Sequence, residues 1–201
     1  MKKFFTFLFL FIVSFYFSQQ TEGLRMIKKK YDLELENLIV QYKQDIANKA
    51  YRKKLKEITR IKDNAVKELE IKRNAEYLEE LLKIKTDELN RVFDVSKLQV
   101  IDERGEIMPR YSKGNNVFKE ELANNFYSEA VKGKGKISCE LSFVIERDGS
   151  IVNVKGTGEN ESFNKQAELA LYLILDTWEP GRLDGRTVKC RMRVPLTLNL
   201  N

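Results

Sequence analysis

The sequence predicts an α+β protein, with a long N-terminal α-helical, coiled-coil-like segment followed by a small ββαβ domain whose three-stranded antiparallel sheet carries one covering helix. Three observations carry this expectation. Residues 24–104 contain neither Gly nor Pro, and their apolar residues recur at threes and fours. From residue 136 the apolar period switches to two, the repeat of a strand buried on one face. Between the second and third alternating segments, residues 160–176 return to helical spacing.

Composition narrows the function classes. Of 201 residues, 33% are charged and 42% hydrophobic, which suits a packed part joined to a solvated, charge-laced part. The chain has no His, which excludes His-based zinc sites, Ser-His and Cys-His nucleophilic pairs and His acid/base chemistry. The net charge of +6 comes from interspersed signs, so it does not point to nucleic acid. The only conceivable catalytic carboxylates, Glu140 and Glu146, alternate along an open strand face. No enzyme activity, cofactor or metal is expected.

The elements follow in order. Lys2 and Lys3 precede a 14-residue apolar run, 4–17, interrupted by Thr6 and Ser14. A basic start before 7–15 apolar residues is the secretory pattern, whereas a membrane span needs roughly 20. Residues 1–19 are therefore expected to be a signal peptide, cut near Ser18 or Gln19; if retained, they form a short anchor. Residues 20–95 form the helical region. Its stripe runs through Leu24, Ile27, Tyr31, Leu35, Leu38, Tyr42, Ile46 and Ala50, then Leu55, Ile58, Ile61 or Lys62, Ala65 and Leu69, then Ala75, Leu78, Leu82 and Leu89. The stripe is narrow, as in a coiled coil, and thin around 48–54. An unbroken rod would be on the order of 100 Å long. A hairpin turning near Asp63 and Asn64 fits the same pattern. Either self-association or folding back must cover the stripe, because propensity alone rarely holds such a helix in water. The basic cluster Arg52, Lys53, Lys54 and Lys56 reads as a solvated helix face.

Gly105, Pro109 and Gly114 punctuate a linker, 96–116, with a short strand at 98–101. Residues 117–126 place Phe118, Leu122 and Phe126 on one side of a short helix. In the first strand Ile137, Cys139, Leu141, Phe143 and Ile145 share a face; Asp148 and Gly149 mark the turn; residues 151–155 return as the second strand. Asn160 is placed to cap the helix that follows, with Glu161 at its positive end. Phe163, Ala167, Ala170, Leu171 and Ile174 form its core stripe, but Leu169, Tyr172 and Leu173 fall on another side. That is more apolar surface than one sheet covers. The third strand is expected over 186–198, with Val188, Cys190, Met192, Val194, Leu196 and Leu198 on one face and Lys189, Arg191 and Arg193 on the other. If it runs antiparallel beside the first, Cys139 and Cys190 sit at opposite ends of the pairing. They are then too far apart for a disulfide.

Several residues stand in an order that resembles the C-terminal domain of TonB energy transducers: Phe143, Val144 and Ile145, then Asp148, Gly149, Ser150 and Ile151, Ala167 in the helix, Trp178, Pro180 and Gly181, Gly185 and Val188, and Val194 with Pro195. The segment 118–126 is similar to the short helix that precedes that domain, so the resemblance spans about 117–200, within an expected domain 117–201. It implies binding rather than catalysis: capture of a short extended segment of a TonB-dependent outer-membrane transporter, or another envelope protein, by strand addition. The partner-binding edge would be the last strand, through Lys189, Arg191, Arg193, Pro195 and Thr197, with Pro195 suited to an edge. The chain departs from the transducers in having no His for the motor-coupled anchor and, in place of a Pro-rich spacer, a helical rod. The expectation is a periplasmic, TonB-like binding protein whose helical region is a candidate for homo-oligomerisation. The alternatives are an anchored energy transducer and a structural coiled-coil envelope protein without peptide binding.

Overall fold

The structure, a computed structural model, describes residues 19–48, 54–90 and 107–200. The expected signal segment up to residue 18, Arg52 and Lys53 of the basic cluster, the last residues of the helical region (91–95), and linker residues 96–106 with the strand at 98–101 lie outside the described residues. The protein is mixed helix and strand, with long N-terminal helices and a small three-stranded antiparallel sheet.

The helical region is a hairpin of two helices, α1 (Gln19–Ala47) and α2 (Leu55–Asn90). Its antiparallel sense is fixed by contacts that converge toward the turn. Tyr31 donates its hydroxyl to Glu76 at 2.8 Å, and farther along α1 the Tyr42 hydroxyl meets Thr59 at 3.2 Å. The chain reverses between Ala47 and Leu55, where the apolar stripe thins, and not at Asp63 and Asn64, which lie inside α2. Most of the α1 stripe is used as its spacing predicts: Leu24 and Tyr31 are buried, Ile27, Leu35, Leu38 and Tyr42 half-buried, while Ile46, near the end of the helix, is exposed. Opposite them, α2 turns in Ile58, Lys62, Ala65 and Leu69.

The second half of α2 departs from the expected stripe. Leu82 and Leu89 are 68% and 86% exposed, while Tyr77, Leu81 and Ile84 are buried. The reason is that this half of α2 packs against the C-terminal part of the chain as well as α1. The residues that face those two partners, rather than the most regular apolar row, go inside.

The C-terminal module begins within the expected linker. Ile107 exchanges backbone hydrogen bonds with Arg182, and β1 (Arg110–Tyr111) pairs antiparallel with β4 (Trp178–Glu179). Next come α3 (Asn115–Asn124), a 3-10 turn (Ser128–Ala130), β2 (Gly135–Ile145), β3 (Ile151–Thr157) and α4 (Glu161–Tyr172). Past β4, the two-residue strands β5 (Arg182–Leu183) and β6 (Arg186–Thr187) pair with each other, and β7 (Cys190–Leu200) closes the fold. The main sheet has the order β3-β2-β7, antiparallel throughout.

Local chemistry explains the boundaries. The β2–β3 turn is held by Asp148, whose carboxylate accepts from the Ser150 N–H at 3.0 Å and from its hydroxyl at 2.6 Å. Gly149 has φ +83°, and a Cβ there would lie 2.0 Å from the Trp178 carbonyl oxygen, so only glycine fits. Asn160 caps α4, its side chain accepting from the Phe163 N–H at 2.9 Å. The helix ends at Tyr172, earlier than its spacing predicts.

Nearly every residue of α4 from Gln166 to its end is buried, because three surfaces meet it. The sheet covers one side. Phe126 stacks edge-on against Phe163 at 5.5 Å, and Asn125 donates to the Ala170 carbonyl. On the third side lies α2, where Asn74 accepts from Gln166 at 2.9 Å. The apolar surplus of this helix is thus the docking face for the helical hairpin. At the far end of the module Trp178 packs against Tyr111, Phe118 and Phe143 at ring separations of 5.1–5.5 Å. Cys139 lies opposite Leu196 and Cys190 opposite Ile145, six residues apart along β2, or about 20 Å. Both thiols are free and buried.

Candidate functional site: the outer edge of the last strand

The last strand pairs with β2 over all eleven of its residues, from Cys190 opposite Ile145 to Leu200 opposite Gly135. Its other side meets no strand among the described residues. Pro195 fixes the orientation of the backbone. The ladder runs unbroken through Pro195, opposite Glu140, and Leu196, opposite Cys139, although proline has no N–H to give. The Pro195 nitrogen must therefore lie on the side away from β2. Because backbone groups alternate along an antiparallel strand, the N–H and C=O groups of Arg191, Arg193, Thr197 and Asn199 also face outward.

The expected site residues do not all gather there. Arg191, Arg193, Pro195 and Thr197 are exposed on one face of β7. Arg191 forms no ion pair with a described residue. The Arg193 Nε lies 3.8 Å from Glu140, and both side chains are more than half exposed, so that pair is weak and leaves the guanidinium free to engage others. Lys189 is not part of the strand. The expected strand over 186–198 is broken after β6: the Val188 N–H donates to the Gly181 carbonyl, and Lys189 is half-buried with its ammonium 2.7 Å from Glu146. That pairing takes Lys189 out of the edge and occupies one of the two candidate carboxylates. The other, Glu140, sits six residues away along β2, so the two do not form a site.

Sequence reasoning did not single out Asn199, which shares the outward set, or the row Met192, Val194, Leu196, Leu198 and Leu200 as more than core. That row is only half-buried. Its partners on β2 under the same face, Cys139, Leu141 and Phe143, are buried almost completely. The difference follows from where α4 packs, mainly on β3 and β2. Alternation marks these residues as one face but does not reveal where the covering helix stops.

The opposite edge of the sheet is closed. A bulge sets Asn153 and Val154 of β3 against the single Phe143 of β2, with Asn153 at φ +53°. The groups that β3 turns away from β2 are met by side chains. The Asn153 N–H donates to Glu88 at 2.6 Å, the Val154 N–H to the Tyr172 hydroxyl at 3.2 Å and the Gly156 N–H to Glu168 at 2.7 Å. Lys85 donates to the Val154 carbonyl and pairs with Glu168 at 3.2 Å. The Tyr172 hydroxyl donates in turn to Glu88. Burial first, and then the Glu88 carboxylate, push the Tyr172 phenol well above its usual range.

Among the described residues no group of three or more metal-ligating side chains converges, and no helix is long and apolar enough to cross a membrane. Comparison with family models, with curated proteins and with solved structures returned no match.

Proposed function

We propose that this protein is a periplasmic binding protein of the TonB-like kind, whose C-terminal module captures an extended segment of an outer-membrane transporter or other envelope partner by strand addition at β7. On this reading the module is the ββαβ unit of that family, with the ladders β4, β5 and β6 inserted before its last strand. The observation that supports it is the outer side of β7, eleven residues paired on one side only, with outward backbone groups whose parity is set by Pro195. An edge of this kind offers donors and acceptors that an incoming peptide completes. The helical hairpin supports the module from the far side of the sheet, closing β3 and leaving β7 as the place for a partner.

The test is a proline scan of the outward positions, read by crosslinking in living cells. A photo-crosslinker placed at Asn199 should yield an adduct with an outer-membrane transporter. Thr197→Pro removes an outward N–H without touching the ladder to β2, and should cut that adduct about tenfold while changing the unfolding free energy by about 0.5 kcal/mol or less. An adduct of undiminished yield in the folded variant refutes strand addition at β7.

A further inference from the structure

Resting on that reading, we infer that β7 selects its segment by a two-sided pattern: apolar residues alternating with polar ones throughout, the polar positions being acidic in the half beside Arg191 and Arg193 and uncharged in the half beside Thr197 and Asn199. The geometry of the strand carries both parts.

On the α4 side of the sheet, Met192, Val194, Leu196 and Leu198 form a half-exposed shelf. An added strand places every second side chain beside that shelf, at cross-strand distances of about 4.5–5.5 Å. α4 packs mainly on β3 and β2, so these β7 side chains keep a half-exposed flank. An apolar side chain arriving there buries itself and the half-exposed residue next to it. A polar one would leave the shelf wet.

On the other side the captured segment meets Arg191, Arg193, Pro195, Thr197 and Asn199, all exposed. Pro195 divides this row. Toward the start of the strand stand two guanidinium groups, of which Arg191 forms no ion pair with a described residue and Arg193 only the loose contact with Glu140. Toward the end stand a hydroxyl and an amide, with no formal charge. The same division applies to the backbone donors, two before Pro195 and two after it, since Pro195 supplies a carbonyl but no N–H. Along β7 itself positive charge is therefore confined to one half, and the cation nearest the other half, Lys136 opposite Asn199, stands on β2, one strand farther from an added segment.

The test uses the full chain and synthetic peptides, measured by fluorescence anisotropy with amide exchange on β7 as a parallel readout. The acidic probes are Glu-Val-Glu-Val-Thr-Val-Thr and its reversed sequence, so that either strand direction is served. Replacing both Glu residues by Lys should weaken the better binder by about three- to thirtyfold, the range expected of two exposed cross-strand charge pairs. Replacing the three Val residues by Ser should weaken it by tenfold or more. Arg191→Glu, which leaves one cation and one anion on this half, should abolish the preference between the Glu and Lys peptides, and adding Arg193→Glu should reverse it. If every peptide binds equally and the outward amides of Arg193 and Thr197 become protected, strand addition stands and the recognition pattern is wrong. If no peptide binds and those amides stay unprotected, both fall.

Discussion

The two edges of one small sheet are treated in opposite ways. At β3 a bulge turns consecutive N–H groups out of the ladder, and Glu88, Tyr172, Glu168 and Lys85, from two helices, meet these and the neighbouring outward groups of the strand. At β7 the ladder is regular, the outward groups face no strand among the described residues, and the side chains around them are mostly exposed. An exposed strand edge is a liability that folds usually cover, charge or shorten. Here one edge is covered with side chains drawn from elements far apart in the chain. The other runs for eleven residues, pairs with no further strand among the described residues, and carries two arginines and a proline. The difference teaches that the helical hairpin acts on the sheet as a selector, deciding which edge remains available.

The comparison breaks first, and most severely, at the ladder itself. Leu196→Pro deletes an inward N–H next to Pro195, so β2 loses a backbone partner and the module should lose about 3 kcal/mol or more in urea unfolding. Its neighbour Thr197→Pro should be close to neutral for folding. Equal costs at the two positions would overturn the parity assigned to the edge.

Next comes the closed edge. Glu88→Ala leaves the Asn153 N–H and the Tyr172 hydroxyl without their acceptor, at a cost of about 2 kcal/mol. Amide exchange should then quicken about thirtyfold at Asn153 and stay unchanged at Arg193 and Thr197.

Alkaline pH sharpens the same contrast. The folded chain holds the Tyr172 proton more tightly than the unfolded chain, whose phenols ionise near pH 10, so the associated stability is intact below about pH 10 and falls as pH rises above it. Tyr77, buried and pushed up to about 12, contributes in the same direction. Urea midpoints taken from pH 8 to 11.5 should therefore decline beyond pH 10, less steeply in Tyr172→Phe; a decline of the same slope in that variant would show the closed edge to be uninvolved.

The smallest effect is expected far from both edges. The hydrogen bonds from Lys30 and Tyr31 hold Glu76 below the usual carboxylate range, but the pair is well solvated. Glu76→Gln should change stability by about 0.5 kcal/mol or less and leave exchange at both edges unaltered.

Much of this was legible residue by residue. The seam of α1 through Leu24 and Tyr31, the Asp148 turn, the Asn160 cap and the alternation of β7 are properties of neighbours in sequence. They rest on side-chain spacing and short hydrogen bonds. The hairpin turn was not placed correctly because Asp63 and Asn64 interrupt nothing: Ile58, Lys62, Ala65 and Leu69 keep the period across them. In α2 three apolar rows compete, and periodicity cannot say which of them meets a partner, so Leu82 and Leu89 read as seam when Leu81 and Ile84 are the buried pair. The two-residue ladder joining Tyr111 to Trp178 is too short to leave a pattern at all. Lys189 reads as one of a row of strand cations, yet its contact with Glu146 removes it from that row.

By itself the sequence determined the helical and alternating periods of the longer elements and, through Pro195, the direction in which the backbone of β7 turns its unused groups. Only the tertiary structure decided which edge stays open. Closing β3 takes contacts such as Glu88 to Asn153, spanning 65 positions, and Lys85 to Val154, spanning 69. Periodicity reports on residues a turn or a pleat apart, whereas an edge is defined by what the rest of the chain, once folded, has brought beside it.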